Sequence, residues 1–333
     1  MKRIGINGFG RIGRTVFRLL QERKEEFEIV GINDLMDPKT LSHLLKYDST
    51  RGKFKGIVET KDNSIIVDGK EIKVSSTEDP AKIQWKELGA EYIIESTGVF
   101  KEKKQIMKHI EAGAEKVILT VPAKDDVDNT IILGINDNQL KAEDKIVSNS
   151  SCTTNCLAPI AKILNDKFGI VRGYMNTIHS YTNDQRILDF GHRDLRRART
   201  AGQNIIPTTT GAAISVTKVL PELKGKLQGI STRVPIQDGS LLDFTVELEK
   251  NTTIKEINSS IKEVAESKMK GILEYCTDPI VSSDIIGNPH SSIFDSLSTM
   301  VINGNFVKIL TWYDNEFGYS NRVVDLAIKM AKM

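Results

Sequence analysis

The chain has 333 residues, a length typical of two domains or of one large domain. Hydrophobic residues make up 39% of the sequence and charged residues 27%, as in ordinary globular proteins with a sizeable core. The formal net charge of +2 gives no general attraction to nucleic acid or to an anionic membrane, so any anion site must be local. No apolar run approaches the roughly 18 residues that a membrane-spanning helix needs.

The cysteines argue against a disulfide framework and against a zinc site. Cys152, Cys156 and Cys276 form an odd count, and the chain contains no Cys-x-x-Cys pair. Residues 1–6 favour a strand over the hydrophobic core of a secretory signal. We therefore expect a cytoplasmic protein without a bound metal.

The first 150 residues alternate short strands with helices. Runs rich in Ile and Val, bounded by Gly, Pro, Asn or Asp, predict strands at residues 4–7, 28–34, 92–97, 117–121, 131–135 and 146–147. Helical periodicity covers residues 11–24 and 101–112, and Asp68-Gly69 indicates a hairpin within residues 64–74. Strands that alternate with helices build βαβ units, so the sequence predicts an α/β domain with a mainly parallel sheet.

A glycine-rich loop joins the first predicted strand to the first predicted helix. Residues 8–13, GFGRIG, follow the strand directly and match the pattern of dinucleotide-binding folds. In that pattern Gly8 permits the tight turn, Gly10 lets the backbone approach a pyrophosphate, and Gly13 allows close packing of helix on strand. Asp34 ends the second strand, where it would bind the adenosine ribose and repel a 2′-phosphate. The sequence therefore predicts NAD rather than NADP, although turn glycines and a solvated aspartate are the alternative.

The second half of the chain has longer β-rich runs with fewer helices between them. Residues 169–181, 229–234 and 241–249 predict strands, and Asn303-Gly304 indicates a hairpin within residues 299–314. Amphipathic helices are predicted over residues 254–270 and 320–332. This pattern indicates an α+β domain with a mixed or antiparallel sheet, beginning near residue 150.

Cys152 follows the sixth predicted strand at the start of a predicted helix. Ligands of an open parallel sheet gather beyond the carboxyl ends of its strands, and a helix N-terminus lowers the pKa of a thiol. His179 lies in a polar interruption of an apolar strand and is the candidate base. Taken alone, each residue would more often be a packed core side chain. Cys156 is predicted to be packed in the core, and Pro159 predicts a kink or a lost hydrogen bond in the helix.

The densest basic cluster is residues 193–199, RDLRRAR. A solvated face, a subunit contact and a nucleic-acid patch are possible readings, but the last lacks interleaved aromatic residues and a basic domain. Guanidinium groups fit phosphate, so an anionic substrate is the preferred partner. Arg233 on an apolar strand is a second candidate, and residues 208–211, TTTG, suit either a phosphate or a helix cap.

Four segments together resemble the phosphorylating glyceraldehyde-3-phosphate dehydrogenase family. They are residues 6–13 (INGFGRIG), 151–156 (SCTTNC), 179–185 (HSYTNDQ) and 312–316 (WYDNE). The resemblance runs essentially from end to end. It implies an NAD-binding Rossmann domain over residues 1–150, completed by a C-terminal helix at 317–333, and a catalytic domain over residues 151–316.

The resemblance also implies an activity and assigns residues to it. The activity is glycolytic oxidation of glyceraldehyde 3-phosphate by NAD, with inorganic phosphate as the second substrate and a thioester intermediate. Cys152 would be the nucleophile and His179 its base. The cofactor residues, besides the three loop glycines, would be Arg11, Ile12, Asp34, Thr120 and Asn315. The residues for the two phosphate positions would be Ser151, Thr153, Thr182, Arg197, Thr210, Gly211 and Arg233.

The family further implies a homotetramer in which residues 180–203 reach a neighbouring subunit. The chain departs from the family at Glu78, where many members have an arginine near the adenine, and at Phe190-Gly191, which replaces a frequent Leu-Pro pair. Alternative readings are an erythrose 4-phosphate dehydrogenase, a semialdehyde dehydrogenase that also pairs Cys with His, and a binding protein that uses the basic cluster.

Overall fold

The computed structural model describes residues 1–333, which fold into two compact units. Unit 1 comprises Met1–Ile131, Asp137–Ser150 and Ser320–Met333, and unit 2 comprises Ile132–Asn136 and Ser151–Tyr319. Every helix is too short or too polar to cross a membrane.

Unit 1 is built on a nine-stranded sheet. Its strands are β1 (Lys2–Asn7), β2 (Phe27–Asn33), β3 (Val58–Lys61), β4 (Ser64–Val67), β5 (Lys70–Ser75), β6 (Tyr92–Glu95), β7 (Lys116–Leu119), β8 (Asn129–Thr130) and β9 (Ile146–Ser148). Its helices are α1 (Arg11–Glu22), α2 (Pro38–Lys46), α3 (Trp85–Leu88) and α4 (Lys103–Glu111). The strand order is β3-β4-β5-β2-β1-β6-β7-β9-β8.

The pairing within this sheet confirms the predicted α/β class. Seven strands pair in parallel, in the order β5, β2, β1, β6, β7, β9 and β8. At the other end of the sheet, β3 pairs with β4 and β4 with β5 as antiparallel hairpins. Asp68 and Gly69 both have positive φ, 50° and 81°, and make the tight turn between β4 and β5. The carboxyl ends of β1, β2 and β6 therefore lie together at one edge of the sheet.

The predicted strand over residues 131–135 is wrong. The strand β8 ends at Thr130, and the backbone then turns, because the N–H groups of Ile135 and Asn136 both donate to the carbonyl of Ile132, at 3.1 and 3.2 Å. Gly134 has a φ of 81°, which ends any extended run. Ile132 is buried in the core of unit 2, so the apolar residues of this segment reflect burial of a turn rather than a strand.

Unit 2 combines a second sheet with helices. Its strands are β10 (Ile170–Ser180), β11 (Ile206–Thr209), β12 (Leu227–Val234), β13 (Ser240–Leu248), β14 (Leu273–Cys276), β15 (Ser292–Asp295), β16 (Met300–Ile302) and β17 (Phe306–Tyr313). Its helices are α5 (Cys152–Phe168), α6 (Ala212–Val219) and α7 (Ile254–Glu266), and the final helix α8 (Phe317–Ala331) leads into unit 1.

The second sheet is mixed, as predicted. Its order is β11-β12-β10-β13-β17-β15-β14, with β16 paired to β17; β10/β12 and β14/β15 are parallel and the other pairs are antiparallel. Alternate residues of β13 and β17, among them Phe244 and Ile309, are fully buried in one core with α5. The opposite face of the sheet is open, with Tyr174 on β10 72% exposed and Ile230 on β12 52% exposed.

Candidate active site

Cys152 and His179 meet in unit 2, where α5 begins and β10 ends. Ser151 is the N-cap of α5, and its hydroxyl oxygen accepts a hydrogen bond from the N–H of Thr154 at 3.1 Å. This cap places Cys152 at the first helical position, with its Sγ 3.6 Å from His179 Nε2. A nucleophile and a base within reach of each other are the minimum that covalent catalysis requires.

Loss of hydration controls the protonation of this pair. Burial raises the pKa of the Cys152 thiol, and the Arg233 guanidinium only partly opposes this rise. Burial and the charge of Arg233 lower the pKa of His179 to about 3, so the imidazole is neutral near pH 7 and can accept a proton. The N–H groups of Cys152 and Thr153 at the start of α5 act in the predicted direction, but burial outweighs them, so the predicted net lowering of the thiol pKa is wrong. The thiol needs a base, and the neutral imidazole beside it is one.

Arg233 sets the environment of the imidazole from the neighbouring strand. β10 and β12 pair so that Arg233 lies directly opposite His179. Arg233 Nη1 lies 2.8 Å from His179 Nδ1 and donates to the carbonyl of Ser180 at 3.1 Å, while His179 Nδ1 lies 2.7 Å from the same carbonyl. Only the tautomer that carries its proton on Nδ1, donated to Ser180, leaves Nε2 free to take a proton from Cys152. In that tautomer the Arg233 guanidinium, which can only donate, lies close to Nδ1 without a hydrogen bond to it.

Tyr313 on β17 holds the two halves of the pair together. Its hydroxyl lies 2.8 Å from Thr153 Oγ1 at the start of α5 and 2.7 Å from Thr177 Oγ1 on β10. Burial raises the pKa of this phenol well above its ordinary value, so it remains a hydroxyl. Its ring also packs edge-on against the imidazole of His179, with centroids 5.9 Å apart. No local pattern in the sequence indicates this role for Tyr313, although the residue lies in the segment 312–316 that carries the family resemblance.

Cys156 and Pro159 lie farther along α5. Cys156 is fully buried in the core, as predicted, with its thiol 3.7 Å from Ser292 Oγ. The helix continues through Pro159 to Phe168. Proline has no N–H, so the bond that would reach the carbonyl of Asn155 is absent.

Arg197 is held by acceptors within its own unit. Its Nη1 is paired with the Asp184 carboxylate, and its Nε donates to Thr208 Oγ1 at 2.9 Å. Arg199, two residues along, pairs instead with Asp189 at 3.0 Å. Two of the four arginines in the cluster at 193–199 are therefore paired with different carboxylates. Asp184 was not singled out from the sequence, although it lies in the segment 179–185.

The remaining phosphate-site candidates occupy loop and cap positions. Ser151 and Thr153 flank Cys152, and their hydroxyls already serve the helix cap and Tyr313. Thr182 lies in the exposed segment after β10, where its N–H donates to the side-chain carbonyl of Gln185 at 3.3 Å. Thr210 and Gly211 precede α6, and the Thr210 hydroxyl accepts from the N–H of Ala212 at 3.2 Å.

Unit 1 contains a cleft of about 520 Å³ at the carboxyl ends of β1, β2 and β6. Its walls are Asn7, Gly8, Gly10, Asn33, Asp34, Leu35, Thr77, Glu78, Ser96, Thr97, Val99 and Phe100. Of the predicted cofactor residues, Gly8, Gly10 and Asp34 are in this wall. Arg11, Ile12, Gly13 and Thr120 are not, and Asn315 belongs to unit 2. This is the position at which an open α/β sheet binds its ligand.

The glycine loop has the geometry that a pyrophosphate requires. Gly8 has a φ of 88°, and a Cβ there would lie 2.6 Å from the backbone nitrogen of Thr97. A Cβ on Gly13 would lie 2.1 Å from the carbonyl oxygen of Gly8, so only glycine permits this packing. Gly10, the N-cap of α1, faces open space and makes no side-chain cap. The loop therefore fits a phosphate group at the start of α1.

The charge of the cleft wall is negative. Asp34 is held by the N–H groups of Phe9, at 2.6 Å, and Met36, at 3.0 Å, and Glu78 is a second carboxylate in the wall. No lysine or arginine lines the cleft. Arg11, the first residue of α1, directs its side chain to Asp48, 2.5 Å away. A ribose with free hydroxyls suits this wall better than one that carries a phosphate.

Two of the remaining predicted cofactor residues have fixed neighbours. The Asn315 carbonyl oxygen accepts from the hydroxyls of Ser180 and Ser240, each at 2.8 Å, which orients its amide. The N–H and the hydroxyl of Thr120 both donate to the carbonyl of Glu95 at 3.0 Å.

Comparison with known proteins agrees with these features along the chain. Residues 2–103 match the family description "Glyceraldehyde 3-phosphate dehydrogenase, NAD binding domain", and residues 151–315 match "Glyceraldehyde 3-phosphate dehydrogenase, C-terminal domain".

Full-length relatives carry the same name. The glyceraldehyde-3-phosphate dehydrogenase of Borreliella burgdorferi is 58% identical over 99% of this chain and 100% of its own length. That of Thermotoga maritima is 58% identical over 100% of both chains, and glyceraldehyde-3-phosphate dehydrogenase 1 of Bacillus subtilis is 55% identical over 99% of this chain and 98% of its own. With both halves of the chain matched and identity this high over its whole length, the chain belongs to the glyceraldehyde-3-phosphate dehydrogenase family.

Proposed function

We propose that this chain oxidises D-glyceraldehyde 3-phosphate with NAD and inorganic phosphate, giving 1,3-bisphosphoglycerate and NADH, the glycolytic reaction of its family. The observation that carries the proposal is the 3.6 Å approach of Cys152 Sγ to His179 Nε2 in a chain of this family. A sulfur nucleophile suits both halves of the reaction. It adds readily to an aldehyde, and its thioester can still transfer an acyl group to phosphate.

The first step is covalent addition of the substrate. His179, neutral and with its Nε2 lone pair facing the thiol, takes the proton of Cys152. The sulfur then forms a bond to the aldehyde carbon as the carbon–oxygen π bond opens, and the carbonyl oxygen takes the proton from His179 to give a hemithioacetal hydroxyl, which leaves the imidazole neutral again.

The second step is oxidation. NAD, when bound, supplies the hydride acceptor for the hemithioacetal carbon. His179 takes the hydroxyl proton as the carbonyl re-forms, which leaves a thioester on Cys152. In the last step an oxygen of inorganic phosphate bonds to that carbonyl carbon and the carbon–sulfur bond breaks, which releases the acyl phosphate. The Cys152 thiolate takes back the proton held by His179, and the proton of the phosphate passes to solvent.

The anionic groups of both substrates call for fixed positive charge beside the thiol. Arg233, within hydrogen-bond distance of His179, and Arg197, on the loop before β11, are the proposed guanidinium partners. The proposed neutral donors are Ser151, Thr153, Thr182, Thr210 and Gly211. Arg233 would then serve twice, by binding a phosphate and by a positive charge that lowers the pKa of His179 and so keeps the imidazole neutral.

The proposed holders of NAD combine the cleft wall with residues outside it. Gly8, Gly10 and Gly13, with the start of α1 at Arg11 and Ile12, would bind the pyrophosphate, and Asp34 the adenosine ribose. Thr120 and Asn315 complete the set. NAD rather than NADP follows from the carboxylates of the wall.

A homotetramer is the proposed assembly, and the cytoplasm the proposed location. Two apolar surfaces support the assembly: the open face of the second sheet, with Tyr174 and Ile230, and the loop after β10, where Ile187, Leu188 and Phe190 are all exposed. Exposed apolar patches of this kind mark protein interfaces. All three cysteines are free thiols, which suits a reducing compartment.

The purified protein should form NADH from glyceraldehyde 3-phosphate only when inorganic phosphate is present. Cys152→Ala should abolish this turnover, because no other group in the site can form the thioester. Absorbance of NADH in assays with and without phosphate, and with erythrose 4-phosphate in place of the triose, checks both points. Ordinary turnover by Cys152→Ala, or faster oxidation of the tetrose, would refute the proposal.

His179→Asn should lower kcat by ~10²–10⁴-fold, the usual contribution of a positioned base. It should also move alkylation of Cys152 by iodoacetamide to higher pH. Burial raises the thiol pKa, and the thiolate exists only above that pKa unless a base removes the proton. The pH profile of alkylation measures this, with His43→Asn, on the exposed side of α2, as the control. An unshifted profile would show that His179 is not the base.

Arg197→Gln should raise KM for both glyceraldehyde 3-phosphate and inorganic phosphate, by about tenfold to a hundredfold, the range of one lost hydrogen bond to a charged group. Arg199→Gln is the matched control, because Arg199 lies in the same cluster but pairs with the exposed Asp189. Steady-state kinetics separates the two variants. Equal KM values for the Arg197→Gln and Arg199→Gln variants would mean that Arg197 binds no substrate phosphate.

Asp34→Ala should shift the cofactor preference toward NADP. Removing the carboxylate removes the repulsion of a 2′-phosphate, so kcat/KM for NADP relative to NAD should rise at least about tenfold. Asp37→Ala, which changes an exposed cap of α2 outside the cleft, should leave the ratio unaltered. A ratio that stays constant in Asp34→Ala would place the selectivity elsewhere.

A further inference from the structure

A carboxylate without a lysine or arginine partner lies fully buried next to the cleft of unit 1. Glu95 ends β6, and its side chain and that of His109 on α4 are both 0% exposed. Asn7 at the end of β1 and Trp85 at the start of α3 are buried beside them. Neither Glu95 nor His109 lines the cleft, and the chemistry proposed above uses neither.

Neutral donors satisfy this carboxylate on both oxygens. Glu95 Oε2 accepts from Asn7 Nδ2 at 2.6 Å and lies 3.0 Å from His109 Nε2. Glu95 Oε1 accepts from the N–H of Thr97 at 2.9 Å and from its hydroxyl. A buried carboxylate is tolerated only when its acceptor sites are filled in this way. These hydrogen bonds therefore fix the orientation of the donor groups of Asn7, Thr97 and His109 as well as that of the Glu95 side chain.

Trp85 determines which nitrogen of His109 carries the proton. Its indole Nε1–H donates to His109 Nδ1 at 2.9 Å, and an indole can only donate. Nδ1 is thus the acceptor, and the proton lies on Nε2, where it points to Glu95. The indole has room because β1 has glycine beside it; a Cβ on Gly5 would lie 2.5 Å from the ring. The hydrogen bonds run in one direction, from Trp85 through His109 to Glu95.

The same network continues into the wall of the cleft. Asn7 Oδ1 accepts from Asn33 Nδ2 at 2.8 Å, and Asn33 Oδ1 accepts from the N–H of Thr77 at 3.0 Å. Asn7, Asn33, Thr77 and Thr97 are all wall residues. The network thus joins α4 to the ends of β6, β1 and β2, each of which leads into the cleft.

We propose that Glu95 and His109 are positioning residues for the dinucleotide. They hold Asn7, Asn33 and Thr97 in one arrangement before the cofactor arrives, so binding does not have to order these side chains. This inference rests on the proposed function, since it takes NAD as the ligand of the cleft. Because Glu95 and His109 do not touch the ligand or the reacting atoms, their loss affects cofactor affinity and spares the chemical step.

The test compares two substitutions of one histidine in the full chain. His109→Ala removes the donor to Glu95, whereas the amide nitrogen of His109→Gln can replace Nε2 as that donor. NAD binding is measured by calorimetry, and kcat and the KM of each substrate by steady-state assay. We expect His109→Ala and Glu95→Gln to raise the Kd for NAD about tenfold or more. We expect kcat at saturating NAD and the KM for the triose phosphate to stay within about twofold, and His109→Gln to recover most of the affinity.

Ile106→Val is the matched control. Ile106 is fully buried on the same helix but offers no polar group, so this variant should lose thermal stability without a change in the Kd for NAD. The proposal is overturned if folded His109→Ala binds NAD as the parent does, if kcat falls together with affinity, or if Ile106→Val weakens binding equally. Should Glu95→Gln fail to fold, the difference between His109→Ala and His109→Gln decides. A parent protein that binds NAD but forms no NADH contradicts the proposed function alone, whereas an active parent with unaffected variants contradicts only this inference.

Discussion

The contact between Cys152 Sγ and His179 Nε2, 3.6 Å long, is the interaction on which the proposed chemistry of unit 2 depends. A half-buried thiol with a raised pKa is a poor nucleophile by itself, and a buried imidazole with a lowered pKa needs a proton donor in order to act as a base. Side by side, the thiol supplies a proton and the imidazole accepts it, so the sulfur can become a nucleophile. The cap by Ser151 and the Tyr313 hydroxyl between α5 and β10 keep the two elements in this register.

Charge is distributed differently over the two units, and this division suits their ligands. In unit 2, Arg233 lies beside His179, and Arg197 is paired with Asp184. These are the guanidinium groups proposed to bind the phosphate-bearing substrates. The only charged side chains in the wall of the unit 1 cleft are carboxylates, and the proposed anion site consists of backbone N–H groups at the start of α1. A dinucleotide can therefore bind by its backbone-held pyrophosphate while its adenosine end meets negative charge.

Local patterns predicted the fold well where burial follows periodicity. The parallel strands of unit 1, the Asp68-Gly69 turn and the mixed sheet of unit 2 agree with expectation, because alternation and turn residues act over a few neighbours. The strand predicted over residues 131–135 is wrong because Ile132 is buried in the core of unit 2, which a local pattern does not reveal. The predicted direction of the Cys152 pKa shift was wrong for a similar reason. The degree of burial at the start of a helix depends on the segments that pack around it, and the local sequence does not show them.

The sequence by itself determined the family, the candidate nucleophile and base, and the glycine loop, because each is a short run of particular residue types next to a predicted strand end. Only the tertiary structure decided how these groups are held. The Tyr313 hydroxyl meets Thr153 across 160 positions of sequence, and Asn7 lies 88 positions from the carboxylate that it binds. Such partners are brought together by strand order and helix packing. For that reason the tautomer of His109, the pairing of Arg197 and the support of the cleft wall could be established only from the folded chain.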